Sequence, residues 1–344
     1  MDTRDTPEQA ELRRSARQLA RERSAAAVPD LDDLDRAKRL AAGVRDAGWL
    51  ELRDDGGEGG PLAGGEESAI VADALGGTVA DVAFTGPLLA RDLARRAQAA
   101  PDDDVVIACS ADLSEVAVVD GTATTRPLFA VDGPISTSGA YLLVPDGDAF
   151  RLAHLPLDGA SEKCGADLTR RVEEIPEGTP ITVVEDAGRA LTATDVVAAQ
   201  ALGLALTSAD LVGIMRGVTE ISVAYAADRR QYGVPVGSFQ AVQHLLAEAE
   251  CLMEGALSVS LHAAWAVDNL EPHEARAAGR AAKAYAARAS RTVCETAVQV
   301  HGGIGNTWEC IVHVYLRRAL LSAQWFGDDA MQVGALGRER LEAV

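Results

Sequence analysis

Apolar positions along the chain change their period twice, and the two changes divide it into three parts. In the first hundred or so residues they recur every three or four positions, as with Leu12, Ala16, Leu19 and Ala20 on one helical face. Thr6-Pro7-Glu8-Gln9 opens that helix: Thr6 can cap it, Pro7 suits the first helical position, and Gln9 completes a capping box. Further helices are expected at 34–47, 66–75 and 87–99. The glycine cluster at 56–60, followed by Pro61, interrupts regular structure, and Gly76-Gly77 is expected to close the third helix as a C-cap. From residue 104 the runs shorten and become β-branched, at 105–108, 115–119, 141–144 and 181–184. The turn pairs Asp132-Gly133, Asp146-Gly147 and Asp158-Gly159 fall among them, which predicts a small β-module. Helical spacing returns at 193 and predicts three long helices, 193–230, 238–268 and 272–300, with Gly233-Val234-Pro235 separating the first two. The expected fold is therefore mainly α: an N-terminal helical domain (1–103), a middle β-domain (104–190) and a C-terminal four-helix bundle (191–344). There is no internal repeat and no low-complexity linker.

Composition narrows the partners. Hydrophobic residues make up 48% of the 344 but aromatics only 4%, so the apolar positions are mostly Ala and Leu, which favour helix packing. A net charge of −20 repels phosphate backbones and argues against nucleic acid. Any site for an anionic ligand must then be a local cationic or dipolar feature. The five cysteines form no CxxC pair and read as reduced residues of an intracellular protein. The six histidines show no HxxxH or HxH spacing, so no metal site is expected. With no signal-peptide pattern and no apolar stretch read as spanning a bilayer, the cytoplasm is the expected location and a membrane is not an expected partner.

Two segments carry candidate chemistry. The first runs Arg229-Arg230-Gln231-Tyr232-Gly233-Val234-Pro235-Val236-Gly237-Ser238-Phe239-Gln240. The second runs Gln299-Val300-His301-Gly302-Gly303-Ile304-Gly305, followed by Trp308-Glu309 and Arg317-Arg318-Ala319. Arg229 at a helix end offers a fixed cation for a pyrophosphate. Tyr232 offers a flat face, Gln299 an amide that both donates and accepts, and Gly302 and Gly303 let a ligand approach the backbone. The glycine run is not the dinucleotide fingerprint of a doubly wound sheet, since no strand precedes it. Taken singly, each segment has a bland reading: the glycines as a helix cap and turn, the arginines as a solvated face.

Together, at this separation and in this helical context, the segments resemble the R-x-x-F-G … F-Q and Q-x-x-G-G-x-G signatures of the acyl-CoA dehydrogenase family. The order helices, β-module, helical bundle resembles that family's layout from end to end. The resemblance implies FAD as cofactor, contacted across a subunit interface. Arg229, Tyr232, Gln240, Gln299, Gly302 and Gly303 inherit the contacts to a neighbour's flavin. It also implies an acyl-CoA substrate and an electron-transfer flavoprotein or similar acceptor.

The family's reaction removes a proton from C2 of an acyl thioester while hydride leaves C3 for the flavin, and a carboxylate must act as base. Where the resemblance places that glutamate, beyond Arg317-Arg318-Ala319, the chain has Phe326; at the alternative position on the preceding long helix it has Gly203. No catalytic residue is therefore assigned. Nor does the β-module carry the T-E-P-x-x-G-S-D stretch or the W-I-T-N-like strand that hold the flavin ring in family members. Asp328 also replaces a threonine that usually faces the cofactor. The chain resembles the degenerate subunit of the α2β2 acyl-CoA dehydrogenases of bacterial steroid side-chain degradation. Two alternatives stay open: a self-sufficient enzyme using Asp328 or another acid as base, and a flavin-free scaffold.

Overall fold

The computed structural model describes residues 4–57, 59–102, 104–134, 136–157 and 165–342. The Asp158-Gly159 pair, Cys164 and, within the glycine cluster, Glu58 lie outside them. Four helices come first: α1 (Pro7–Arg23), α2 (Leu34–Asp46), α3 (Gly65–Gly76) and α4 (Thr85–Ala97), with a two-stranded ribbon, β1 (Asp55–Gly57) and β2 (Gly60–Pro61), between α2 and α3. The capping box at Thr6 forms as expected, with Gln9 N–H donating to Thr6 Oγ1 at 3.2 Å and Thr6 N–H to Gln9 Oε1 at 3.0 Å.

The β-module is one sheet of β3 (Val105–Cys109), β4 (Leu128–Val131), β5 (Gly139–Asp146), β6 (Ala149–Pro156), β7 (Val172–Ile175), β8 (Thr182–Val183) and β9 (Leu191–Thr192). Its order is β7-β4-β3-β5-β6-β8, with β9 also on β6; β3 and β5 pair in parallel and the other pairs are antiparallel. Asp146-Gly147 makes the β5–β6 hairpin turn as expected, with Gly147 at φ +63°. The run at 115–119 is not a strand. Its N–H and C=O groups are divided among Ala108 of β3, Ser110 just beyond it and Leu143 of β5, so no continuous ladder forms. Asp132-Gly133 is not a hairpin turn either. The Asp132 carboxylate is buried and accepts from the N–H groups of Phe84, Thr85 and Gly86, capping the start of α4 from the sheet.

Five helices complete the chain: α5 (Ala193–Asp228), the ribbon β10 (Arg230–Gln231) and β11 (Val234–Pro235), α6 (Gln240–Asn269), α7 (Pro272–His301), α8 (Val312–Gln324) and α9 (Asp329–Glu342). The helices α5 to α8 form the bundle, with α9 on α7 and α3 lying against α5. Gly76-Gly77 ends α3, but Gly77 keeps a right-handed φ of −62°. What requires glycine here is the crossing: a Cβ at Gly76 would overlap the Asp210 carbonyl, and one at Gly213 or Gly217 would overlap the backbone of α3 or the residue after it.

Helix α5 is long and apolar enough to cross a membrane, but its most apolar window is 94% buried inside the protein. It is the core helix of the bundle, apolar all round over that window because its faces there are covered.

Helices, sheet and bundle share one hydrophobic cluster that runs from Leu40 through Val105 to Leu202 and Trp325. At their junction sits a buried ion network. Arg318 donates to Asp210 at 2.7 and 3.2 Å, to Ala80 O and to Thr169 Oγ1, while Arg170 pairs with the same Asp210 at 3.0 Å. Burial disfavours the charge on Asp210, yet Arg170 and Arg318 together hold its pKa below the ordinary value.

Candidate functional site

The first motif is a strained hairpin at the exit of α5. Arg229 caps the helix, and its carbonyl accepts from Val236 N–H at 2.7 Å, which closes the loop. Residues 231 and 234 pair, leaving Tyr232 (φ +54°) and Gly233 (φ +83°) as the two turn residues, both left-handed as a type I′ turn demands. Gly233 adopts this readily, whereas a tyrosine does so at a cost of roughly 1–3 kcal/mol. The result is a ring 94% exposed at the hairpin tip, edge-on to Phe239 with 6.4 Å between centroids. Gln240 begins α6 immediately after Phe239 and is exposed.

The second motif is the exit of α7. Gln299 is exposed on the last turn, and His301 is buried. Gly302 then turns the chain at φ +67°, ψ −145°, a region open essentially to glycine alone. A Cβ at Gly302 or Gly303 would meet nothing within 4 Å. Gly303 does not have the positive φ of Gly302 either, so neither backbone nor packing among the described residues demands a glycine there.

A ring pair that the sequence did not reveal joins the two motifs. Tyr225, one turn before Arg229, stacks on His301 at 4.2 Å and 23°, and its hydroxyl donates to His301 O at 3.4 Å. His301 Nδ1 lies 2.8 Å from Ala297 O, and burial holds its pKa below the usual histidine value, so at neutral pH the neutral ring donates that bond. Arg229 makes no ion pair among the described residues. The motif surface also gathers exposed apolar groups: Val234 and Phe239 on one segment, Ile304 and the 61% exposed Trp308 on the other. Arg317 lies over Trp308 at 5.7 Å. Arg318, its neighbour in the Arg317-Arg318-Ala319 element, turns inward to the ion network.

A free cation, an exposed ring, an amide and an unfilled glycine edge suit the pyrophosphate and rings of a dinucleotide. They form an exposed edge, and three cavities elsewhere among the described residues have no motif residue in their lining.

The two positions where the resemblance places a base lie against each other. Phe326 is 1% exposed, at φ +64°, and its ring lies on Gly203: a Cβ added there would come within 2.6 Å of Cε1 and Cε2. Phe326 N–H donates to Leu113 O at 2.8 Å, its carbonyl accepts from Gln332 Nε2 at 2.5 Å, and Trp325 stacks beside it at 5.9 Å. Lys283 of α7, fully buried, donates to Ala323 O at 2.8 Å and Gly327 O at 2.9 Å, bracketing the turn. Desolvation lowers its pKa to about 7, against the pull of Asp328 and Asp329. The Lys283 position had a legible signal, since it falls in the same helical stripe as Gly279, Ala282, Ala286 and Ser290. Asp328 is not aimed at this place; its Oδ1 accepts from Met331 N–H at 2.8 Å and caps α9. Glu309 is exposed. No three His, Cys, Asp or Glu side chains among the described residues converge as a metal site.

The chain is similar to known proteins over most of its length. Residues 197–341 match the model of the acyl-CoA dehydrogenase C-terminal domain. The chain is 33% identical over 285 residues to acyl-CoA dehydrogenase IpdE2 of Mycolicibacterium smegmatis, covering 83% of this chain and 81% of that one. Among solved structures it superposes on a chain of the ChsE4-ChsE5 complex from Mycobacterium tuberculosis with a TM-score of 0.78, covering 99% of both at 22% identity. The Tcur3481-Tcur3483 steroid ACAD gives 0.76, covering 98% of both at 20% identity. At those identities the structures speak for the fold.

Proposed function

The chain belongs to the acyl-CoA dehydrogenase family, and on that premise we propose that it is a subunit that completes a partner's FAD site and brings no base of its own. FAD, when bound, accepts the hydride from C3 of the acyl thioester. This chain's share is positioning. Arg229 neutralises pyrophosphate charge, Gln299 and Gln240 offer amide hydrogen bonds, Tyr232 presents its ring, and Gly302 and Gly303 admit the ligand to the backbone. The partner supplies the carboxylate and the rest of the cofactor pocket. The assembly is an α2β2 heterotetramer acting in cytoplasmic lipid metabolism, with an electron-transfer flavoprotein or similar acceptor. By likeness to the steroid ACAD and the two-protein ChsE4-ChsE5 complex, its substrate is a bulky acyl-CoA such as a steroid side-chain thioester.

The observation that carries this reading is the Phe326 ring on Gly203: neither site for the base holds an acid, and the gap between them is filled. Asp328 is an unsuitable substitute because it is engaged as a helix cap. A flavin-free scaffold is disfavoured by Tyr232, whose strained, exposed ring makes one ring contact among the described residues, edge-on to Phe239.

Expressed alone, the chain should carry little flavin and turn over no acyl-CoA. Co-purified with its partner it should give about one FAD for every two chains. Arg229→Ala should weaken flavin retention in that complex about tenfold without moving the melting temperature of the chain. A flavin-saturated, active homo-oligomer of this chain alone would refute the proposal.

A further inference from the structure

Away from both motifs, a cleft of about 380 Å³ opens between α2, the start of α4, the end of β4 and residues 169–171. That volume falls within the roughly 300–1,000 Å³ of small-ligand sites. One face of α2 forms its floor: Ala37, Ala41 and Val44 recur at helical spacing, with Pro87 of α4 opposite and Leu34, 56% exposed, at the edge. In a chain of net charge −20, two cations edge the cleft, Lys38 and Arg45; Arg170 also lines it but is committed to Asp210.

The two carboxylates in the same lining are already engaged. Asp81 is held by Arg36 through two hydrogen bonds of 2.6 and 2.8 Å, and Asp132 accepts the three N–H groups at the start of α4. Lys38 has one exposed partner, Asp35, at 3.7 Å, a pair that contributes little. Arg45 has no ion pair among the described residues. An apolar trough edged by cations matches one ligand chemistry: an acidic head beside Arg45 and Lys38, with an apolar body along Ala41 and Val44.

We propose that this cleft binds a small amphipathic anion, a carboxylate on an apolar body. None of its elements carries a motif residue, so the site stands or falls separately from the flavin reading.

Calorimetric titration of the full chain, in its purified assembly, with decanoate and with decan-1-ol tests it. Decanoate should bind once per chain and about tenfold more tightly than the alcohol of equal length. Ala41→Trp, which fills the trough, should abolish binding. Arg45→Glu, a surface change that leaves the fold intact, should weaken decanoate about fivefold or more and leave decanol unchanged. Equal affinity for acid and alcohol would overturn the proposal, as would wild-type decanoate binding by either variant or no decanoate binding at about 1 mM.

Discussion

At the scale of single residues, the contact between Phe326 and Gly203 explains more than either position alone. The resemblance identified both as places without a carboxylate, but a residue string does not state that they touch across 123 positions or that one fills the other. Gly203→Ala pushes a methyl group into the ring, and overpacking of this kind costs roughly 1–3 kcal/mol. Equilibrium urea unfolding should show that loss, and adding Phe326→Leu should recover part of it. Two independent losses that simply add would count against direct contact. The two candidate segments were legible because a glycine turn and an arginine at a helix exit keep a recognisable order. Their joining through Tyr225 and His301 was not, since a ring stack across 76 positions leaves no local pattern.

At the scale of elements, the helices were legible to within two or three residues at most ends, because amphipathic spacing extends over several turns. Strands were read less well. In β6, Leu152 and Ala153 are both buried, which destroys the alternation that marks a strand with one wet face. The edge strand β7 carries Glu173 and Glu174, which blunt the sheet edge and make it read as a loop. Lys283 tests how the turn after α8 is held. Unfolded, it keeps its proton up to about 10.5; folded, it gives it up near 7. Between those values the unfolded chain binds more protons, so stability rises with pH through this window and is lowest below it. The gain from pH 7 to 9 should be about 2 kcal/mol, at close to 1.4 kcal/mol per pH unit, and absent in Lys283→Met. Urea midpoints of both proteins at the two pH values measure it; parallel curves would place the titration elsewhere.

At the scale of the whole molecule, the buried network around Asp210 ties α5, α8, Ala80 in the connection from α3 to α4, and the segment leading into β7 into one unit. Arg318→Met leaves Asp210 with one guanidinium in place of two, and breaking a buried pair costs about 3–5 kcal/mol. Because one hydrophobic cluster runs through all three parts of the chain, helical circular dichroism and tryptophan fluorescence should fall together in that variant. Separate transitions would mean that the parts unfold independently.

The aromatic ring over Gly203 also bears on history. Under the proposed role, restoring an acid is not a one-letter reversion. A glutamate at 326 would take the place of the ring in a buried space that favours its protonated form, and one at 203 would collide with the ring already there. Once packing had sealed the place, every intermediate on the way back would be both unstable and inactive. Under that role, the geometry of the chain's own interior is what would keep it dependent on a companion.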